Sequence, residues 1–222
     1  MSERTIISRD GWEARPPKRP FTKLRPSRVQ GVVLHHSGVK DGPKGLSALK
    51  AYERFHMDSR GWNAIAYNWL VDEAGVIYAG RGPGVVSGAT KGWNSRSESI
   101  CFTGWGEVEA PEAALDSIKW LINDINSRYG GKLWVKGHRD LGNSTCPGNW
   151  LYNWLKSGMP SQLGDPNKVD WDGIKAHLES LKLKLAELQS KVVCCTHMLS
   201  LTSHVNWRLN ISGFEEFVLL CV

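Results

Sequence analysis

The stretch Gly31-Val32-Val33-Leu34-His35-His36-Ser37-Gly38 constrains the fold of this chain more than any other. Its apolar, largely β-branched residues follow one another without polar alternation, the pattern of a strand covered on both faces. Such a strand belongs in a sheet with helices on its two sides, and this one carries histidines to its C-terminal end. Successive strand residues point to opposite faces, so only one of His35 and His36 can face a given site.

The neighbouring segments supply the other layers. Prolines at 16, 17, 20 and 26 keep residues 1–30 extended across the domain surface. After the Asp41-Gly42-Pro43 turn, Leu46, Leu49, Ala51, Tyr52 and Phe55 recur at helical spacing, which predicts a helix through His56 with that face on the sheet. Residues 65–71 and 76–79, separated by Asp72-Glu73-Ala74-Gly75, read as a β-hairpin. A Gly-rich loop follows over 80–92, then a strand at 99–103 in which Cys101 reads as inert core. Pro111 opens a helix whose buried stripe (Ala114, Leu115, Ile118, Leu121, Ile122, Ile125) stops at Gly130-Gly131. Leu133-Trp134-Val135 is a short strand, and 149–156 a closing helix. Residues 1–157 are therefore expected to form one α/β domain, a single mixed central β-sheet flanked by helices, with the 31–35 strand in its middle.

Residues 158–169, with Gly158, Pro160, Gly164 and Pro166, read as a linker to a helical extension over 170–222. There Trp171, Ile174, Leu178, Leu181, Leu185, Leu188 and Val192 alternate spacings of three and four. This three-heptad seam suits either a homo-oligomer through 171–192 or packing along the main domain. Cys195 and His197 lie closer than the usual ligand pairs, so no second metal site is expected there.

Charge and cysteine content exclude several classes. The net charge of +6 is concentrated in residues 1–40, where nine Lys and Arg face only Glu3, Asp10 and Glu13. That patch attracts polyanions, but without interleaved base-stacking motifs it does not predict nucleic-acid binding. Five cysteines without framework spacing argue for reduced thiols. No apolar run reaches the roughly 18 to 20 residues of a transmembrane segment, and residues 1–8 lack the apolar core of a signal peptide. Synthesis and residence in a cytoplasm are the expectation.

Chemistry concentrates in Gly137-His138-Arg139-Asp140-Leu141-Gly142-Asn143-Ser144-Thr145-Cys146-Pro147-Gly148. Zinc accepts imidazole nitrogen and thiolate together, and a catalytic zinc keeps three protein ligands and one open position. His138 and Cys146 supply two; the third comes from His35 or His36 at the end of the buried strand. Such an ion activates water and polarises a carbonyl, so hydrolysis of an amide or ester is expected.

Several stretches, in order, resemble the zinc-dependent N-acetylmuramoyl-L-alanine amidase family, which includes phage endolysins and the peptidoglycan recognition proteins. They are residues 8–17 (SRDGWEARPP), 32–37 (VVLHHS), 55–62 (FHMDSRGW), 65–69 (IAYNW), 78–82 (YAGRG), 92–95 (GWNS) and the loop above. The resemblance spans about 8–157 and implies an amidase-like fold, a Zn2+ cofactor and bacterial peptidoglycan as partner. It implies His35, His138 and Cys146 as ligands, with His36 on the other face. Tyr67 would orient water or stabilise the oxyanion. Ser144 stands where the family has Lys or Thr, keeping a hydroxyl donor without the Lys charge. Trp93 and Asn94 match a loop bordering the substrate groove; Trp62 and Arg81 read equally as groove contacts or packing residues. The implied reaction is cleavage of the bond between N-acetylmuramic acid and L-alanine, leading to wall lysis. The alternative is a module that binds peptidoglycan without cutting it. The missing signal peptide favours an endolysin that waits in the host cytoplasm before lysis, and the C-terminal extension then reads as wall-binding or oligomerising.

Overall fold

A computed structural model describes residues 4–160 and, further on, Leu178, Glu179, Leu181, Lys182 and Leu185. The chain divides into two compact units, 1–163 and 164–222. The first holds six strands and three α-helices: β1 (Ile6–Ile7), β2 (Gly31–His36), α1 (Gly45–Arg54), β3 (Trp69–Val71), β4 (Ile77–Ala79), β5 (Ser97–Phe102), α2 (Glu112–Arg128), β6 (Trp134–Gly137) and α3 (Asn149–Lys156). In the second, Leu178, Leu181 and Leu185 of the predicted seam are helical and exposed, while the rest of the seam and the Cys195/His197 pair lie outside the described residues. No helix among the described residues is long and apolar enough to cross a membrane.

The strands form one mixed sheet in the order β1-β4-β3-β5-β2-β6. β3 and β4 pair antiparallel, as the hairpin spacing predicts; the other pairings are parallel. β2 lies one strand in from the edge rather than in the middle, with β3 and β5 the inner pair. It is still covered on both faces, and all six of its residues are buried. Strand alternation divides the core in two. Val32, Leu34, Ile100 and Phe102 face Leu115, Ile118, Leu121 and Ile125 of α2 and Leu151 of α3. On the other face Leu70, Cys101 and Tyr78 pack with Leu49 of α1, Ile65 and Trp12, whose indole donates to the Ala79 carbonyl (2.8 Å).

Three local expectations are corrected. In α1 the buried positions are Ala48, Leu49 and Glu53, whereas Leu46 and Phe55 are 46% and 49% exposed. The helix passes into a π turn, Phe55–Ser59, whose extra residue rotates Phe55 outward and His56 and Met57 inward. Of the predicted 65–71 strand only Trp69–Val71 joins a ladder. The N–H groups of Ala66 and Asn68 go instead to His56 Nδ1 and Ser99 Oγ, and the Asn68 amide donates to the Gly82 and Val85 carbonyls. β5 starts two residues early, because buried Glu98 finds donors in Trp69 Nε1 (2.7 Å), the Gly84 amide (2.9 Å), Tyr129 (2.8 Å) and Arg128 (3.0 Å).

Candidate metal centre

The parallel register of β2 and β6, Leu34 opposite Gly137, brings the next residues of both strands together. His35 ends one strand and His138 follows the other, in the short 3-10 turn His138–Asp140, with ring centroids 4.8 Å apart. Cys146 arrives from the loop beyond. Its Sγ lies 3.6 Å from His35 Nδ1, and one ligand atom each from His35, His138 and Cys146 falls within 4.8 Å of the other two. Tetrahedral zinc with its usual bond lengths separates a nitrogen and a sulfur ligand by about 3.6 Å, so the donor set and its spacing fit that ion.

The surrounding groups hold the donors in place. His35 Nε2 meets Thr90 Oγ1 at 3.2 Å, which fixes the ring and turns Nδ1 toward the cluster. Burial, then the nearby His138 and His36, push His35 well below the ordinary histidine range, and burial lowers His138 as well. Both rings thus keep a free lone pair at neutral pH. Burial drives the Cys146 thiol up to about 12, opposed by the His36 backbone N–H (3.4 Å from Sγ) and the charge of Arg139. The thiolate therefore needs a cation beside it, which a divalent metal supplies.

His36 points to the opposite face, where its Nδ1 accepts from the Gly106 amide at 2.9 Å. Gly106 lies against the ligand loop so closely that a Cβ there would stand 1.9 Å from the Pro147 carbonyl oxygen. Arg139 braces the loop from the other side. Its amide donates to the Cys146 carbonyl (2.8 Å), its guanidinium to the Thr145 carbonyl and Asn149 Oδ1, and Tyr152 stacks beneath it at 4.6 Å. Asp140 accepts from the Gly137 amide (2.9 Å) and the Tyr152 hydroxyl (2.6 Å).

Tyr67 stands 5.3 Å from the His35 ring, centroid to centroid, and its hydroxyl meets the buried Cys101 thiol. Burial, with the two cysteines, holds that phenol well above its ordinary value, so it remains a proton donor at neutral pH. Ser144 Oγ accepts from the Cys146 amide at 3.1 Å, and its own hydroxyl proton stays available to a further acceptor. A groove of about 580 Å³ opens beside His138, walled by Trp62, Asn63, Arg81, Ala89, Lys91 and Asn94. Asn94 reaches it, but its Oδ1 accepts from Ser87 Oγ (2.9 Å) and the Thr90 amide (2.8 Å), so it also shapes the turn that carries Thr90 to His35. Trp93 is not among the residues lining this groove; its ring packs edge-on against Trp134 at 5.5 Å. Thr90, His56 and Arg139 were not singled out by spacing, since each acts through a neighbour.

The mixed sheet brings His35 and His138 to the ends of two parallel strands, where with Cys146 they form a donor set able to hold a metal ion. The family profile described as N-acetylmuramoyl-L-alanine amidase matches residues 25–149, more than half of the chain, and the chain belongs to that family. Peptidoglycan-recognition protein SC2 of Drosophila simulans is 32% identical over 159 residues, covering 69% of this chain and 85% of that protein. N-acetylmuramoyl-L-alanine amidase of Mus musculus is 32% identical over 161 residues, 68% of this chain but only 30% of that protein. Among solved structures, Drosophila PGRP-LB superposes with a TM-score of 0.63 at 28% identity, covering 70% of this chain and 94% of that one. Peptidoglycan recognition protein LE, in complex with tracheal cytotoxin (monomeric diaminopimelic acid-type peptidoglycan), matches with a TM-score of 0.63 at 29% identity over 72% of this chain and 98% of its own.

Proposed function

We propose that this chain is a zinc-dependent amidase that hydrolyses the bond between N-acetylmuramic acid and L-alanine in bacterial peptidoglycan. The observation that carries this reading is the convergence of His35, His138 and Cys146 within 4.8 Å at the mouth of a groove. Zinc held by His35, His138 and Cys146 would supply a Lewis acid and an activated water. The chain's own residues do the rest. Thr90 Oγ1, 3.2 Å from His35 Nε2, would accept its N–H in the tautomer that leaves Nδ1 free for a metal. Tyr67, kept protonated by burial, donates to the oxygen on which negative charge develops. Ser144 offers a second hydroxyl from inside the ligand loop, without the charge that a Lys there would bring.

Retention of Cys146 beside both histidines favours cleavage over recognition alone. Purified full-length protein, loaded with zinc and incubated with peptidoglycan, is expected to release new L-alanine amino termini. The release stops on chelation and in His138→Ala. Walls left uncut by the zinc-loaded protein, yet bound by it, would make the chain a recognition module instead.

A further inference from the structure

One buried and chemically able side chain beside the candidate centre has no task in the reaction. Cys101 is fully buried in β5 and is not one of the three donors that converge. Its place follows from strand register. β5 pairs parallel with both β2 and β3, which sets Cys101 opposite His35 on one side and opposite Leu70 on the other. Residues opposite one another in a ladder share a face of the sheet. Cys101 therefore stands on the face that His35 presents to the cluster, whereas Leu34, Ile100 and Phe102 turn toward α2.

Tyr67 reaches the same spot from a segment outside the ladder. Its backbone is tied down: the carbonyl accepts from the Arg81 amide at 2.8 Å, and a Cβ at Gly80 would stand 2.3 Å from that carbonyl oxygen, so only glycine allows the approach. The ring has His35 (5.3 Å) and His56 (5.8 Å) as neighbours and packs against the cluster that holds Cys101, Leu70 and Ile65. Such contacts fix the plane of a phenol but not the direction of its O–H, which turns about the C–O bond. What the hydroxyl meets is the Cys101 sulfur. The thiol's own proton is engaged elsewhere, since its S–H donates to the Phe102 carbonyl at 3.4 Å. The sulfur lone pairs are left to accept.

We propose that Cys101 is a positioning residue: its sulfur is the resting acceptor of the Tyr67 hydroxyl and holds the phenol where that proton can be turned onto the oxygen of the carbonyl under attack. The inference rests on the amidase reading, in which Tyr67 donates to that oxygen. The O–H bond stays intact throughout; only its acceptor changes. Sulfur suits the task because it accepts weakly. A carbonyl or carboxylate in its place would compete with the developing oxyanion for the proton, whereas an apolar side chain would leave a buried hydroxyl unpartnered and the phenol free to shift.

The test combines substitutions at both positions in the zinc-loaded full chain. Cys101→Ala is expected to lose about three- to tenfold in kcat on muropeptides, with KM and zinc content unchanged. In the Tyr67→Phe background the same substitution should change kcat by less than about twofold, because no hydroxyl remains to be placed. Cys101→Ser keeps an acceptor of similar size and should recover most of the loss. The contact itself is read without turnover from the infrared S–H stretch of Cys101, identified by its disappearance in Cys101→Ser. That band should shift in Tyr67→Phe, since a sulfur that accepts one hydrogen bond polarises the one it donates. Wild-type kcat in Cys101→Ala, an equal loss in both backgrounds, or a Cys101→Ser variant as slow as Cys101→Ala overturns the assignment. So does an unshifted band, which also decides the matter if Cys101→Ala does not fold. Failure of the wild-type chain to cleave overturns the amidase reading instead, and the infrared comparison still reads the contact.

Discussion

Lowering the pH from 7 to 4 is expected to destabilise the domain, and His56 is the imidazole whose share can be isolated. It is 7% exposed, its Nδ1 accepts from the Ala66 amide at 3.3 Å, and its ring stacks on Trp62 at 4.9 Å. Burial, then Arg81 and Arg60, pull it from 6.5 down to about 4. Because the folded value lies below the unfolded one, the unfolded chain binds more protons between those limits, and stability falls as pH drops from 6.5 to about 4. The interval corresponds to about 3 kcal/mol at full extent. His35, His36 and His138 are also lowered and bend the curve the same way, so the comparison must be made against a variant. His56→Asn keeps an acceptor near Nδ1 and cannot titrate. Urea denaturation of the zinc-saturated proteins at pH 7, 5.5 and 4.5 should show the wild type losing about 2 to 3 kcal/mol more than His56→Asn. Parallel stability curves for the two proteins would refute the assignment.

Three further outcomes are expected. Thr90→Val removes the hydroxyl 3.2 Å from His35 Nε2 and should weaken zinc binding by about 10- to 100-fold in chelator competition, with the fold intact; unchanged affinity would remove Thr90 from the support of the centre. Tyr67→Phe should retain zinc while kcat on muropeptides falls by about tenfold or more, and an unchanged kcat would mean that the phenol packs without donating. Arg128→Ala strips the counter-ion from fully buried Glu98 but leaves it Trp69, Tyr129 and the Gly84 amide. Stability should drop by about 2 kcal/mol in urea, and a loss within error would contradict the account of that network.

The strands that carry the site were legible because their signal is local. The apolar run 31–34 and the two histidines that end it are buried throughout, and α3 covers the predicted 149–156. What spacing could not reveal was where a strand lies in the sheet, or why polar residues extend one. Ser97 and Glu98 look like a loop until the cation and indole that satisfy Glu98 arrive from residues some 30 positions away. The π turn was hidden for a related reason, since a 3.6-residue period counts Phe55 as inward and the chain gains a residue at that point.

The same distinction runs through the candidate centre. His35, His138 and Cys146 announce themselves by type, because few residues bind zinc. Their supports do not: Thr90 sits in a glycine-rich loop, and its contact with His35 depends on Asn94 accepting from its amide. Asn94 therefore has two readings that sequence could not separate, a wall of the groove and the peg that sets Thr90. Cys146 depends likewise on His36, which donates to its sulfur through the backbone and ties Gly106 against Pro147 through the ring. The paired histidines of β2 thus divide their work by strand alternation, one facing the cluster and the other holding the loop that completes it. A substitution at either should loosen the candidate centre, but only at His35 is one of its three donor groups removed.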